Sequence, residues 1–505
     1  MEGATALPAA LAELPVWRAD RLLHGVVRGQ RWVHNPAVDD GLVLLSAPAA
    51  AVLDCADGRT LGAIAADLAE TDAGRARLVQ SAPILLRNGL LRTPDPAPFR
   101  RPRPAARAER VFDLWLHVTN DCNLDCPYCY IDKGPQHLDD STAERVLASI
   151  ERAAAAGHAD RIHVRYAGGE PMLRFSALRR FHEAAIERCG RHGVRYTAAI
   201  LSNGTVVPRE AAAWVKQAGL GVSISIDGKG ALQDAMRPTR NGRGSAAHLE
   251  RGFAAWREAG VRPYVLVTLG ETNLGGLLPL VDWLLQERLG FRLSLVRDLE
   301  WGAGTLDDRH GASRRLEQAP RPGAEGILDG DALQRVRGPL LAAYDRIEAA
   351  VAADVDAGRA PEPSFRQTHR FCDLSPFRPI RKACGAGSSY AAIGPGGAVS
   401  PCQAALHHET DRAPIDGSRS IVEQGRAHRP FGPFERQVGN PVCNNCRHQQ
   451  SCAAGCPLLL ARRDGHIDGR SPYCEVFRAV IPRIVGIAAL ELWGEAKRRS
   501  EAVRA

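Results

Sequence analysis

Three cysteines in residues 122–129 stand out as the first residues of this 505-residue chain that could do chemistry. Cys122, Cys126 and Cys129 are separated by three residues and then by two. Iron–sulfur clusters are held by thiolates and usually take four, so a four-iron cluster on this triad would keep one iron open. Zinc sites usually combine two CxxC pairs, or cysteine with histidine. The stretch offers neither, and the spacing therefore favours a cluster.

The residues before the triad, 114–119, are apolar and β-prone, which predicts a strand. The cysteines would then follow its carboxyl end, where α/β barrels place their chemistry. With Tyr128 directly before its last cysteine, the triad resembles the radical S-adenosylmethionine (SAM) superfamily. The resemblance implies a [4Fe-4S] cluster that binds SAM at its open iron. It also implies reductive cleavage of SAM to a 5′-deoxyadenosyl radical that abstracts a substrate hydrogen atom, while the protein binds and orients.

A second motif follows the next predicted strand, residues 162–166. It reads Gly168-Gly169-Glu170-Pro171. Glycines let a ligand approach the backbone, and Glu170 could bind an ammonium group. In the family that this chain resembles, the motif contacts the amino group of SAM, and Gly169 matches a SAM-contact position.

Three further residues match SAM contacts of the same family. Ser225 matches a hydroxyl that contacts ribose or carboxylate, and Arg237 an arginine that pairs with the SAM carboxylate, a role that suits a guanidinium. Leu295 matches a contact to adenine. Without the resemblance, Ser225 is a strand residue facing a polar layer and Arg237 a surface arginine.

Strands alternate with helices over residues 111–299, as a parallel sheet requires. The six βα units predict an α/β fold, the partial (β/α)6 barrel of this superfamily. We expect an insertion and a connecting helix at residues 300–371, with an inserted loop over 300–332. A C-terminal helix is expected at residues 481–505.

A second set of cysteines lies late in the chain and closely resembles the SPASM domain of radical SAM peptide- and protein-modifying enzymes. We place this domain at residues 372–480. The resemblance implies two auxiliary [4Fe-4S] clusters. The first takes Cys384, Cys402 and Cys456; the second takes Cys443, Cys446, Cys452 and Cys474. The alternative is a zinc ribbon, against which the long mixed spacings count. Residues 392–402 predict a hairpin that delivers both its ends to one metal site.

The late set departs from the family pattern in two ways. Well-studied members often carry one more cysteine shortly after Cys384, which is absent here. Either Cys372 or a substrate group could complete the first auxiliary cluster, or Cys372 is inert. Protein-maturing members also place an aspartate base after the second cysteine, where this chain has Gln403. That difference tells against a formylglycine-generating sulfatase maturase.

Residues 1–92 predict a separate winged helix-turn-helix. Two strands surround Arg28-Gly29, a third strand covers 43–45, and helices follow at about 48–56, after Thr60, and at about 75–87. The order resembles the peptide-binding subunit of pyrroloquinoline quinone biosynthesis (PqqD-like), in which a leader peptide adds as a strand. A DNA-binding winged helix and a plain capping domain are the alternatives. Residues 93–110 predict a stiff, charged linker.

Composition limits the partners, the cellular location and the roles of the cysteines. The net charge of +8, from 65 basic and 57 acidic residues, is too small by itself to indicate nucleic-acid binding. No signal peptide or membrane-spanning run is recognised, which predicts a cytoplasmic protein. Ten of the thirteen cysteines fall into the two sets, and in that compartment they favour metal ligation over disulfides.

Together these patterns predict a radical SAM/SPASM enzyme that installs a cross-link, thioether or carbon–carbon, in a ribosomally made precursor peptide bound through its leader. An external one-electron reductant of the flavodoxin or ferredoxin type would supply electrons. Epimerisation and backbone excision remain possible outcomes. The alternatives are a maturase of a folded protein and a DNA-binding iron–sulfur sensor. No catalytic base stands out.

Overall fold

The computed structural model describes residues 10–96, 99, 109–297, 330–368, 370–379, 384–406, 412–427, 441–452, 455–456 and 469–504. Nearly all of the inserted loop predicted at 300–332 lies outside the described residues, as does most of the linker predicted at 93–110.

The N-terminal part of the chain folds into two small antiparallel sheets and a group of helices. The strands are β1 (Pro15–Arg18), β2 (Leu23–Val27), β3 (Gln30–His34), β4 (Leu42–Leu44), β5 (Asp57–Thr60) and β6 (Leu91–Arg92), and the helices are α1 (Ala47–Cys55), α2 (Leu61–Leu68) and α3 (Asp72–Arg87). One sheet has the order β2-β3-β4 and the other β5-β1-β6. The predicted hairpin and helices are present. The second sheet was not predicted, and residues 57–58, which directly follow the helix predicted at about 48–56, begin β5.

Hydroxyl side chains fix where these helices begin. Ser46, Thr60 and Thr71 each accept a hydrogen bond from the backbone N–H three residues later, which satisfies a donor that the first turn leaves unpaired. The cap at Thr71 explains why α3 begins at Asp72, ahead of the predicted start at residue 75.

A ten-stranded sheet forms the centre of the molecule. Its parallel strands are β7 (Val111–Thr119), β8 (Arg161–Gly168), β9 (Arg195–Ser202), β10 (Gly221–Ser225), β11 (Tyr264–Leu269) and β12 (Phe291–Leu295), and the helices between them are α4 (Asp140–Ala155), α5 (Phe175–Gly190), α6 (Ala211–Ala218), α7 (Ala231–Met236), α8 (Ala246–Glu258) and α9 (Leu277–Gln286). Each strand pairs in parallel with the next. All six predicted strands are present, so the chain has the mixed α/β architecture with a parallel sheet that the sequence predicted.

The C-terminal part of the chain completes both edges of this sheet. Its strands are β13 (Arg370–Phe371), β14 (Tyr390–Ile393), β15 (Ala398–Ser400) and β16 (Ala413–Pro414), and its helices are α10 (Gly330–Asp356), α11 (Phe365–Thr368), α12 (Ile421–Ala427), α13 (Gln449–Cys452) and α14 (Cys474–Arg504). Strand β13 extends the sheet beyond β12, and β14 pairs in parallel with β7. The antiparallel pair β14–β15 confirms the hairpin predicted before Cys402. Helix α14 begins earlier than the predicted residue 481. Short 3₁₀ helices cover Pro171–Arg174, Glu271–Gly276, Gln403–Ala405 and Pro441–Cys443.

The N-terminal sheet β2-β3-β4 is anchored on the rest of the molecule. Leu23, Trp32 and Leu42 are buried in the same apolar cluster as the α14 residue Ile484. A ring nitrogen of His34 lies 2.7 Å from the carbonyl oxygen of Pro376. One face of this sheet therefore packs on the core that contains α14, while the N-terminal unit, predicted at residues 1–92, keeps a second apolar core of its own.

Within the described part of the chain, no helix combines the length and the apolar character needed to cross a membrane.

Candidate active site

The cysteine triad lies on the loop that leaves the carboxyl end of β7, as expected. The N–H of Cys129 donates to the carbonyl of Cys126 at 3.1 Å, which makes a tight turn between these two cysteines. The sulfur of Cys122 accepts from the backbone N–H of Leu124 at 3.5 Å and lies 3.8 Å from the side-chain amide nitrogen of Asn203. Donors of this kind orient metal ligands and tune the metal that they hold.

Burial raises the pKa of two of these thiols. It raises the pKa of Cys122 to about 12 and that of Cys126 to about 11. Thiols in such surroundings do not ionise near neutral pH without help, whereas a coordinating metal deprotonates a thiol outright. One buried and two half-buried thiols on one loop at the sheet edge fit an iron–sulfur cluster, whose iron would supply the positive charge that thiolates require.

The motif after β8 packs directly against the cysteine loop. Gly168 has φ +134°, and a Cβ built on it would lie 2.1 Å from the carbonyl oxygen of Thr119. A Cβ on Gly169 would lie 2.1 Å from the carbonyl oxygen of Asp121. We expected these glycines to admit a ligand; the group that approaches them in the structure is the backbone of the cysteine loop. Hydrogen bonds of 2.8 Å from the N–H groups of Gly169 and Glu170 fix this contact.

Glu170 is completely buried at the junction of β8 and β9. Its carboxylate accepts from the N–H of Met172 at 3.0 Å, the hydroxyl of Ser202 at 2.8 Å and the N–H of Asn203 at 2.7 Å. Burial nevertheless raises its pKa to about 7. Within the described residues no Lys or Arg forms an ion pair with it, so the site holds a carboxylate suited to a cationic ligand group.

Asp227, two residues after β10, organises the opposite side of the site and was missed by the sequence reasoning. The hydroxyl of Tyr128 donates to its carboxylate, as do Nε of Arg237 at 2.7 Å and the N–H of Thr268 at 2.8 Å. The guanidinium of Arg237 also lies 5.4 Å from the centre of the Tyr128 ring. An acidic residue directly after a predicted strand was the signal that could have found it.

The remaining predicted SAM contacts lie at the same edge of the sheet. Arg237 is 9% exposed, so it is not the surface arginine that was the alternative. Ser225 is the half-buried last residue of β10, and Leu295 is the buried last residue of β12. All of these residues thus end parallel strands or follow them, as a shared ligand site requires.

Three of the late cysteines lie beside the triad. Cys384, Cys402 and Cys456 pack with Tyr130 around a small group of buried alanines. Tyr130 directly follows Cys129 and lies within electrostatic range of both Cys129 and Cys402. Burial raises the pKa of Cys402 to about 12. The three thiols assigned to the first auxiliary cluster are therefore brought together, next to the loop that carries the triad.

Three of the other late cysteines, Cys443, Cys446 and Cys474, lie near one another. Cys474, at the start of α14, lies within electrostatic range of Cys443 and Cys446. The N–H of Cys446 donates to the carbonyl of Cys443 at 2.9 Å, and Cys452 ends α13. In the described ranges no three Cys, His, Asp or Glu side chains are grouped tightly enough to hold a single ion. A four-iron cluster attaches each thiolate to a different iron and requires a wider spacing.

Gln403, which stands where some relatives have an aspartate, is held by its neighbours. The hydroxyl of Tyr390 donates to its side-chain oxygen, and the sulfur of Cys402 lies 3.7 Å from that oxygen. An amide in this position orients its neighbours and cannot accept a proton as a base does.

Comparison with known proteins identifies the central part of the chain. Residues 116–284 match the family profile of the Radical SAM superfamily, and these residues form a radical SAM domain. Such a domain implies a four-iron cluster and SAM.

Two sequence relatives cover parts of the chain. An uncharacterized protein of Methanocaldococcus jannaschii is 28% identical over 34% of this chain and 58% of the relative. The serine-type anaerobic sulfatase-maturating enzyme of Klebsiella aerogenes is 31% identical over 26% of this chain and 33% of the relative. The matched region thus spans less than two thirds of either protein.

One solved structure resembles most of the fold. The protein anSMEcpe, solved with bound AdoMet and a Cp18Cys peptide, has a TM-score of 0.54 at 15% identity and covers 75% of this chain and 99% of its own. The likeness shows that the two chains share a fold over that part.

Proposed function

We propose that this protein is a radical SAM enzyme with two auxiliary four-iron clusters that installs a cross-link in a ribosomally made precursor peptide. The observation that carries the proposal is the packing of Cys384, Cys402 and Cys456 beside the loop of the SAM-cluster triad. This places a second set of thiols at the edge of the sheet where the radical would form. When bound, the reduced cluster and SAM supply a 5′-deoxyadenosyl radical.

The protein's part is to hold the cofactors in place. Cys122, Cys126 and Cys129 bind the SAM cluster. The N–H of Leu124 and the amide of Asn203 support the sulfur of Cys122 and keep one face of the loop polar. The glycines after β8 let this loop pack tightly against the strand that carries Glu170.

SAM is oriented by groups from three strand ends. Glu170 binds its amino group, for which Gly169 shapes the turn, and Arg237 binds its carboxylate. Asp227 accepts the Nε–H of Arg237, and a guanidinium has further N–H donors with which to bind a second carboxylate. Ser225 contacts the ribose or carboxylate, and Leu295 packs on the adenine.

Cys384, Cys402 and Cys456, with Cys443, Cys446, Cys452 and Cys474, would hold the auxiliary clusters, which would supply an acceptor for the electron that a substrate radical gives up when a new bond forms. Cross-linking is a net oxidation and needs such an acceptor, whereas redox-neutral epimerisation has less need of one. Gln403 cannot serve as the proton acceptor of a formylglycine-forming maturase, which favours another reaction on the peptide.

The N-terminal unit is proposed to hold the leader peptide, since β2 and β4 each have one edge that pairs with no other described strand. An extended peptide can add to such an edge. The edge at β4 opens on a pocket of about 610 Å³ between the N-terminal unit and α14, lined by Asp40, Leu42, Phe377 and Leu492 among others. A mixed apolar and polar pocket at a free strand edge suits peptide side chains.

The pairing of basic side chains argues against the DNA-binding alternative. In the N-terminal unit, Arg31 pairs with Asp54, and Arg59 pairs with Asp57 and Asp67. Arg75, on the helix that would enter a groove, donates to two backbone carbonyls and to Asp72. Arginines engaged in this way are poorly placed to neutralise phosphates.

The test is formation of 5′-deoxyadenosine from SAM by the anaerobically reconstituted, reduced protein. The enzyme should produce it, and Cys126→Ala should abolish it. A DNA-binding sensor should produce none. A variant that still cleaves SAM without Cys126 would show that the triad has been assigned wrongly.

A maturase of a folded protein is the second candidate. It is favoured by the sequence match to a sulfatase-maturating enzyme. A folded substrate would be modified without any leader, so removal of the leader from the substrate separates the two.

A further inference from the structure

Cys372 belongs to neither set of cysteines recognised in the sequence, yet it lies at the same edge of the sheet as the site. It directly follows β13, the strand that extends the sheet beyond β12, and its N–H donates to the carbonyl of Leu293 at 2.8 Å. Asp373 then adopts φ +67°, a left-handed conformation that is uncommon for a non-glycine residue. The backbone here is thus turned to present two side chains together.

Both side chains are held by one arginine. Nη2 of Arg297 lies 3.0 Å from the sulfur of Cys372 and 2.6 Å from each carboxylate oxygen of Asp373. Arg297 follows β12, so two neighbouring strand ends supply the group. Only about a fifth of either the Arg297 or the Asp373 side chain is exposed.

Arg297 also links Cys372 to the first auxiliary set. Its positive charge acts on Cys456, on Cys384 and on Cys402, and the carboxylate of Asp373 acts on Cys384. One guanidinium therefore contacts the thiol of Cys372 and lies within electrostatic range of three other thiols. The first auxiliary set supplies only three ligands by the family pattern, and the position where relatives often have a fourth carries none.

The charges favour ligation over an inert thiol. A cluster held by four thiolates is anionic, and a partly buried anion needs a compensating charge or donated hydrogen bonds. A neutral thiol needs neither. Arg297 supplies the donated hydrogen bond and a positive charge that it shares with Asp373, whose carboxylate also lies 3.7 Å from the sulfur and fixes the direction in which the Nη2 donor points.

We propose that Cys372 is the fourth ligand of the first auxiliary cluster, with Cys384, Cys402 and Cys456, and that Arg297 donates a hydrogen bond to its sulfur. The inference rests on the auxiliary clusters of the proposed function. It assigns this cluster four protein ligands, so the cluster would pass electrons and would not bind the substrate through iron.

The test uses the full chain with Cys122, Cys126 and Cys129 changed to alanine, so that only auxiliary clusters remain. This parent protein is reconstituted anaerobically and compared with the same protein carrying Cys372→Ala or Cys372→Ser. Iron content and Mössbauer and EPR spectra, with and without cyanide as a probe of open iron, are the readouts. Cys55→Ala, which changes another half-buried thiol, is the matched control.

The parent should bind about eight iron atoms as two four-iron clusters, and cyanide should leave its spectra unchanged. Cys372→Ala should make one cluster sensitive to cyanide or lose its iron. Cys372→Ser should shift the spectrum of that cluster, and the serine oxygen should still keep cyanide from binding the iron. The Cys55→Ala protein should match the parent.

Two results would overturn the proposal, and they differ. If Cys372→Ala matches the parent in iron content and spectra, Cys372 is not a ligand, while the proposed function stands. If the parent binds no iron, the auxiliary clusters themselves are wrong, and the proposed function fails with them.

The role of Arg297 has a separate readout. Arg297→Gln removes a positive charge near an anionic cluster and should lower its reduction potential in an EPR-monitored titration, whereas Arg297→Lys should restore most of the shift. An unchanged potential in Arg297→Gln would show that this arginine only holds Asp373 in place.

Discussion

At the scale of single residues, the site depends on two buried carboxylates with opposite surroundings. Glu170 is surrounded by neutral hydrogen-bond donors, and burial raises its pKa to about 7. Asp227 is tied to a guanidinium and a phenol. The carboxylate of Glu170 is thus available to a ligand, whereas that of Asp227 positions protein groups.

The raised pKa of Glu170 predicts how SAM binding depends on pH. Only the ionised carboxylate can pair with an ammonium group, and at pH 6 about a tenth of a group with a pKa near 7 is ionised. SAM should therefore bind roughly tenfold more weakly at pH 6 than at pH 8, as measured by calorimetry on the anaerobic, cluster-loaded protein.

The control for this experiment is Glu170→Gln, which cannot ionise. It should bind SAM weakly and equally at both pH values. The same pH dependence in the variant would assign the titration to another group and remove Glu170 from the amino-group site.

Asp227 should be essential for stability as well as for SAM cleavage. Asp227→Asn leaves the buried Arg237 without its charge partner, and breaking a buried pair in this way costs about 3–5 kcal/mol. Denaturant unfolding should detect that loss, and 5′-deoxyadenosine formation should fall with it.

The control for Asp227→Asn is Asp54→Asn, which breaks an ion pair with Arg31. Both side chains of that pair are 40% exposed or more, so the free energy of unfolding should fall by at most about 1 kcal/mol. If the two substitutions cost the same, the network around Asp227 is not the anchor of this side of the site.

At the scale of elements, sequence patterns predicted the parallel strands well. Alternation of apolar with polar residues marks β10 and β12, whose buried and more exposed residues alternate in the structure. The short strands β1, β5 and β6 carry no such period, because strands of two to four residues show too little of it to be recognised.

The same limit applies within the site. The cysteine spacings and the motif at residues 168–171 are local, so the sequence revealed them. The contacts of Asp227 and the approach of Arg297 to Cys372 join residues far apart in the chain. Only the pairing of β12 with β13 brings Arg297 and Cys372 together, and a strand as short as β13 has no sequence signal.

The close packing at the turn after β8 predicts that a side chain at position 169 is not tolerated. Gly169→Ala would place its methyl group against the backbone of the cysteine loop, at a separation that only movement of that loop can relieve. We expect a loss of about 1–3 kcal/mol, together with reduced iron at the triad.

Gly190→Ala is the matched control, since a Cβ at this helical position meets no atom within 4 Å. It should leave iron content unchanged and raise the melting temperature slightly, because alanine favours a helix over glycine. Full iron loading in Gly169→Ala would show that the cysteine loop has room to move.

At the scale of the whole molecule, one face of the N-terminal unit belongs to the central packing, while the rest of the unit has a core of its own. Its sheet buries Trp32, Leu23 and Leu42 in the cluster that contains α14. Composition and the linker predict a separate unit but not this packing on α14, because the contact joins residues that are distant in sequence.

Deletion of residues 1–92 should therefore destabilise the remaining chain as well as weaken peptide binding. The exposed face of α14 would lose its apolar partners, and the melting temperature of the truncated protein should fall by several degrees. A truncated protein that melts as the full chain does, and has lost only peptide binding, would mean that the unit is an independent module.

The most direct test of the account is the intact and fragment mass of a small candidate peptide encoded beside this gene, after anaerobic co-expression with the enzyme or its Cys126→Ala variant. The proposed function predicts loss of a hydrogen pair per modified site with the unaltered enzyme and none with the Cys126→Ala variant. Fragmentation should locate the loss in the peptide core. An unchanged mass for a peptide that binds the enzyme, or the same change with Cys126→Ala, would contradict it.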